Sequence, residues 1–170
     1  MKYYGKVGTT SQTVDQSSNP VAPQGYIEMQ VPQPSTKYIA QEGGTWEYPL
    51  ELAKQEHISN ILYPAFVKAR DSVVWIKKTG SYGFDTAESD RINWQNALTM
   101  AQASSSKSTN YMVYLSIQEK AFIEVTVEQL LEAGELSKQQ QYNAYIKFTE
   151  LRQKASGAET QEELEQIVWD

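Results

Sequence analysis

No cysteine occurs in the 170 residues, so disulfides, thiolate metal sites and cysteine nucleophiles are excluded. Histidine appears once, as His57, which rules out a metal site built on two histidines. Its sequence neighbours Glu56, Ser59 and Asn60 suggest no catalytic partner, and it is expected on a helix surface. No run of about 18 apolar residues exists, so no membrane insertion is expected. The opening Met1-Lys2-Tyr3-Tyr4-Gly5 has no apolar stretch after its charge and is not expected to be a secretory leader. G-x-S-x-G elbows, phosphate loops and G-x-G-x-x-G turns are all missing. The expectation is therefore no catalytic residue, no cofactor and no metal site.

Basic clusters are also lacking. Net charge is −6, with most of the acid beyond residue 80. The one basic stretch, 50–79, sets Lys54, Lys68, Arg70, Lys77 and Lys78 against Glu51, Glu56 and Asp71. That surface is too mixed to displace the counterions of a nucleic acid, so no nucleic-acid partner is expected. Asp85, Glu88 and Asp90 could ligate a hard cation, but their spacing suits the first turn of a helix, where carboxylates meet the positive end of its dipole.

What the chain does have is aromatic surface: eleven tyrosines, four tryptophans and four phenylalanines. The length allows one domain, or a small module with a domain of about 120 residues. Five of the six prolines and five of the nine glycines precede residue 50. That density breaks helices and favours strands and turns. Residues 1–49 are expected to form an extended β docking module, with a polar mobile loop over 8–24 and a strand at 26–30. A hairpin is expected to turn at Glu42-Gly43-Gly44, where the glycines accept positive φ. So small a sheet needs something to pack against.

Residues 50–79 show helical periodicity through Ile58, Ile61, Leu62, Phe66, Ala69, Val73 and Ile76, and predict a connecting helix kinked at Pro64. Residues 80–170 predict a helical domain with a β-hairpin near 111–125. Its first helix is expected to be capped by Asp85, with a face of Trp94, Ala97 and Ala101. Thr126 with Gln129, and Thr160 with Glu163, have the spacing of capping boxes. The long helix between them is expected to bury Leu130, Leu131, Tyr142, Tyr145, Ile146, Phe148 and Leu151, to bend at Gly134 and to stop at Gly157. The fold class expected is α+β.

Tyr3, Tyr4, Tyr26, Tyr38, Trp46 and Tyr48 crowd into the first module. Large rigid rings with a polar tip suit protein interfaces, so these six are the candidate partner-binding residues. Packing of the module is the competing reading. Self-association stays open as well, although no clean heptad run persists over three repeats.

Two sets of residues resemble a known family. The first is Pro23-Gln24-Gly25-Tyr26-Ile27-Glu28-Met29, Pro32-Gln33-Pro34, Tyr38-Ile39-Ala40 and Gly44-Thr45-Trp46. The second is Phe84-Asp85-Thr86 with Ser89 and Ile92, Val125-Thr126 ahead of Glu128-Gln129-Leu130, and Ala158 to Leu164 with Ile167 and Trp169. Over about 20–50 and 80–170 the chain resembles tail-fibre assembly and tail-associated proteins of tailed bacteriophages. The helix expected over 50–78 falls outside that likeness. The resemblance implies a non-enzymatic structural protein that attaches or caps tail fibres. Its partner would be a tail or tail-fibre protein, and its place the virion tail after synthesis in the host cytoplasm. Two alternatives are a fibre-assembly chaperone that leaves before the virion is complete, and a small acidic protein that binds a host factor.

Overall fold

The computed structural model describes residues 1–170, and the fold is α+β. In chain order the elements are β1 (Lys2–Gly5), β2 (Gln12–Asp15), β3 (Ile27–Met29), β4 (Ile39–Ala40), β5 (Trp46–Glu47) and α1 (Leu50–His57). A π-helical turn at Ile58–Leu62 leads to α2 (Tyr63–Arg70), β6 (Val74–Trp75), β7 (Gly83–Phe84) and α3 (Glu88–Ala103). Then come β8 (Ser108–Ser116), β9 (Glu119–Thr126), α4 (Val127–Gly157) and α5 (Gln161–Glu165).

These elements fall into two compact units. One holds Met1–His57 with Ser156–Gln166, the other Ile58–Ala155 with Ile167–Asp170. The divisions differ from the 1–49, 50–79 and 80–170 suggested by composition. Helix α1 and helix α5 both belong with the first strands, and they pack on each other.

In the first unit, β1 is the middle strand of an antiparallel sheet ordered β2-β1-β3. The segment expected as a loop over 8–24 thus contributes strand β2. Its exit is ordered by Asp15, whose carboxylate accepts the Ser17 N–H at 2.8 Å and the Val21 N–H at 3.1 Å. Tyr4, Met29, Ala40, Ala53, Ala158 and Leu164 are buried. The β4–β5 hairpin turns where the glycines predicted it: Gly44 has φ +74°. Its carbonyl accepts the Gln30 N–H at 2.8 Å, which ties the turn to the end of β3.

In the second unit, the helix begun at α1 does not run to residue 78. The π-helical turn interrupts it, and Pro64 opens α2, where its missing N–H costs nothing. After Arg70 the backbone becomes extended, because Val73, Val74 and Trp75 are β-branched or aromatic and Val74 pairs with Phe84. The antiparallel sheet is ordered β6-β7-β8-β9, with α3 against β8. Its core holds Val74, Ile76, Phe84, Trp94, Ala97, Ala101, Val113, Val125, Leu130 and Ala133.

Two side-chain expectations for this unit are corrected. Asp85 does not cap α3; Ala87 occupies that position, with no side-chain cap bond, and Asp85 pairs with Lys120 at 2.6 Å. Helix α4 is continuous through Gly134, where the Trp94 ring lies 3.1 Å from where a Cβ would stand. The buried face of α4 is also narrower than its larger apolar residues suggest. Leu130, Ala133, Ser137, Ala144, Leu151 and Ala155 are inside, while Leu131, Tyr142, Tyr145 and Ile146 are exposed. The small residues carry the same three- and four-residue spacing and allow close approach. The Thr126–Gln129 capping box forms, Thr126 N–H donating to Gln129 Oε1 at 2.9 Å and Gln129 N–H to Thr126 Oγ1 at 3.3 Å; at α5 Thr160 caps through Glu163 N–H at 3.1 Å, but the Glu163 carboxylate reaches Glu159 N–H instead of Thr160.

Glu132 on α4 closes the loop between β6 and β7. Its Oε1 accepts the N–H of Lys77 at 2.9 Å and of Lys78 at 3.0 Å, and its Oε2 accepts the N–H of Thr79 at 2.8 Å. Desolvation pushes this carboxyl upward, but the three amides and the Thr79 hydroxyl outweigh it and hold the pKa at about 2. A carboxyl that ionises below the ordinary 4.5 stabilises the fold above that pH and loses its effect as the pH falls towards 2. Glu132→Gln is expected to lower the melting temperature at pH 7, and the gap from wild type should close between pH 4.5 and 2; a gap that does not vary with pH would contradict this role. Gly44→Ala faces both a left-handed backbone and the Glu28 carbonyl 2.7 Å from the new Cβ. A loss of at least about 1–2 kcal/mol is expected in denaturant melts.

Candidate functional site

The β4–β5 hairpin places a tyrosine just outside each of its strands. Ile39 pairs with Glu47 and Ala40 with Trp46. Continuing that register sets Tyr38 opposite Tyr48 on the face that also carries Ala40 and Trp46. The two tyrosine rings stand 5.2 Å apart at a tilt of 59°. Further along the same face, Ala40 and Trp46 approach Gly5 and anchor the hairpin on the first sheet.

A cleft of about 630 Å³ opens beside the tyrosine pair. The hairpin supplies Tyr38, Glu47 and Tyr48, and α1 supplies Leu50. Across from them lie Glu159, Thr160 and Gln161 at the start of α5. These residues are fixed by the α5 cap: besides the Thr160 bond, Glu163 Oε2 accepts the Glu159 N–H at 2.8 Å.

One carboxylate orders the aromatic wall. Glu56 on α1 accepts the Tyr48 hydroxyl proton at 2.5 Å and pairs with Lys37 through its other oxygen. Lys37 first, and Tyr48 second, hold the Glu56 carboxyl below its ordinary range. The same bond to Glu56, with partial desolvation, pushes the Tyr48 hydroxyl upward. Glu56 is thereby kept ionised and Tyr48 protonated, so the ring is held by a charge-assisted bond. The cleft therefore offers two ordered ring faces, one leucine, and a polar rim with Glu47 and Glu159. That combination suits an extended polypeptide with an apolar or basic side chain.

The six residues singled out from the sequence separate into two groups. Tyr38 and Tyr48 line the cleft. Tyr4 is 2% exposed and belongs to the core. Tyr3 is half-buried in β1, between Val14 and Met29. Tyr26 shares a hydrogen bond with Ser11 Oγ at 2.6 Å, and the Trp46 indole N–H donates to the Val31 carbonyl at 3.0 Å. These four hold the module together. Sequence reasoning missed Lys37, Leu50, Glu56 and the 159–161 segment. The only available signal was the Thr160–Glu163 spacing, which says where a helix starts and not what it faces. His57 is half-buried at the end of α1 and does not line the cleft. No group of three histidines and carboxylates is gathered anywhere in the chain.

No family model, no curated protein and no solved structure matches this chain.

Removing the Tyr48 hydroxyl tests the order of the wall. Tyr48→Phe is expected to raise the Glu56 carboxyl titration, and Lys37→Ala to raise it further, when followed by NMR of the side-chain carboxyls. An unchanged Glu56 titration in Tyr48→Phe would show that the bond does not organise the cleft.

Proposed function

We propose that the chain is a tail-associated protein of a tailed bacteriophage, a structural component of the virion that attaches or caps tail fibres. Its partner is a tail or tail-fibre protein, and the Tyr38–Tyr48 cleft is where a segment of that partner docks. The observation that carries this reading is the tyrosine pair itself. It flanks the hairpin whose residues Tyr38-Ile39-Ala40 and Gly44-Thr45-Trp46 carry the tail-protein resemblance, and it stands beside a cleft that Leu50 also lines, with Tyr48 held by Glu56. Rigid tyrosine faces make good anchors because little side-chain freedom is lost when they are covered. No catalytic role is assigned to any residue. The protein is made in the host cytoplasm and resides in the virion tail.

The test has two parts. Mass spectrometry of purified particles should find the chain at a fixed ratio to the fibre protein. Absence from particles, with fibres still dependent on the gene, would make it an assembly chaperone instead; capture of a host protein with no fibre defect on deletion would make it a host-factor binder. In pull-downs with the fibre protein, Tyr38→Ala and Tyr48→Ala should each weaken capture about tenfold, the loss of a moderate hot spot. Unchanged capture by the double variant would remove the cleft from the proposal.

A further inference from the structure

Strand β9 ends the four-stranded sheet, so no strand pairs with the N–H and C=O groups along its far side. At eight residues it is long for an edge. Its exposed face carries charge at Lys120 and Glu124, but three other devices that guard edges are missing. It contains no proline, its inward-facing residues Ala121, Ile123 and Val125 carry no charge, and the one irregularity of its ladder lies at the turn, between Tyr114 and Ser116. The opposite face presents Lys120, Phe122 and Glu124 in alternation, all exposed. Phe122 is 71% exposed, and its cross-strand neighbour Met112 is also on the surface.

We propose that β9 is a self-association edge, at which two copies of this chain pair antiparallel about a two-fold axis at Phe122. The sheet of one copy then continues into the other. The argument is charge complementarity of the strand with its own reverse. When Phe122 faces the partner's Phe122, Lys120 faces the partner's Glu124 and Glu124 faces the partner's Lys120. A symmetric antiparallel pair can slide only in steps of two residues, because an odd step would turn one sheet over. Sliding by one step sets Phe122 against the partner's Lys120 or Glu124. Sliding by two sets Lys120 against the partner's Lys120, or Glu124 against the partner's Glu124. Only the register at Phe122 puts ring on ring and both charges on their opposites.

Both charges already have partners within their own chain. Lys120 Nζ lies 2.6 Å from Asp85 Oδ2 and 4.2 Å from the centre of the Tyr114 ring. Glu124 accepts the Ser108 hydroxyl at 2.5 Å. Pairing adds the partner's opposite charge beside these contacts, with each carboxylate and ammonium shared between the two. Across the junction, Met112, Phe122 and their two counterparts form one continuous apolar row. A junction of one strand pair is smaller than the roughly 1,600 Å² of a standard interface, so micromolar self-association is expected. The proposal does not rest on the virion reading: β9 and the tyrosine cleft belong to different compact units.

Sedimentation equilibrium of the full chain should show a concentration-dependent rise from monomer to dimer mass. Lys120→Glu and Glu124→Lys should each abolish it, since each sets like charges against one another. An equimolar mixture of those two variants should dimerise again, because the reversed residues now meet opposites. The absence of native cysteine gives a second readout that does not depend on the charge variants folding. Phe122→Cys should cross-link on oxidation, and Glu124→Cys, two residues off the axis and so four residues along the strand from its counterpart, should not. A wild-type chain that stays monomeric at every concentration overturns the proposal. So does a mixture of folded charge variants that stays monomeric, or a Phe122→Cys chain that forms no cross-link.

Discussion

The second unit depends on satisfying the backbone of residues 70–79. That segment leaves α2, forms two residues of strand and enters a loop, so much of its backbone has no ladder or helix partner. Side chains of α4 supply what is missing. Gln140 donates to the carbonyls of Arg70 at 3.0 Å and Ser72 at 2.7 Å, and Glu132 accepts three successive amides. Gln129 completes the set by donating to the Thr79 carbonyl at 3.0 Å. Thr86, fully buried, adds a hydroxyl bond to the Ser72 carbonyl at 2.8 Å. The Arg70 carbonyl bond from Gln140 and the Ser72 carbonyl bond from Thr86 are part-buried, whereas Glu132 and Gln129 hold an exposed loop; together these bonds favour one position of α4 along the sheet. The small buried face of Ala133, Ser137 and Ala144 follows from that requirement, since short side chains let the helix come close enough for its glutamine and glutamate to reach.

Carboxylates do similar work throughout the chain. Asp71 lies beside Arg70, with bonds of 2.8 and 2.7 Å, and within 3.4 Å of Arg91, and Arg70 above all holds it below its ordinary range. Glu56 fixes the tyrosine wall, and Asp15 orders the loop after β2. An acidic chain without metal clusters thus uses its carboxylates as acceptors for nearby N–H, O–H and cationic groups. The tyrosine cleft is one product of this arrangement, because without Glu56 nothing polar would hold the Tyr48 ring against Tyr38.

Sequence patterns made some elements legible and others not. The Gly44 turn, a hairpin near 111–125, the Thr126–Gln129 capping box and the Thr160 cap were predictable, because each rests on chemistry confined to a few neighbouring residues. The end of α2 was not. Val73 and Ile76 continue the helical spacing, and only pairing with β7 makes the extended conformation better. Asp85 shows the same limit: its cap spacing is sound, but the ion pair with Lys120, 35 residues away in sequence, competes for the carboxylate. At the site, the sequence pointed to six aromatic residues, and the structure separates the two that line a cleft from the four that hold the module together. The difference is where each ring lies: Tyr4 is buried in the core and Tyr3, Tyr26 and Trp46 pack within the module, while Tyr38 and Tyr48 flank the hairpin beside the opening.

By itself the sequence determined which groups exist and what their local preferences are. It set the absence of thiols, the crowd of rings before residue 50, the turn glycines and the caps. It also set the alternation that puts Lys120, Phe122 and Glu124 on one face of a strand. Tertiary structure alone decided which face of α4 is buried, which tyrosines meet, and that the 156–166 segment joins the first strands. Those outcomes depend on contacts between residues far apart in the chain, where the deciding energies are backbone satisfaction and close packing. Neither leaves a periodic mark in the sequence.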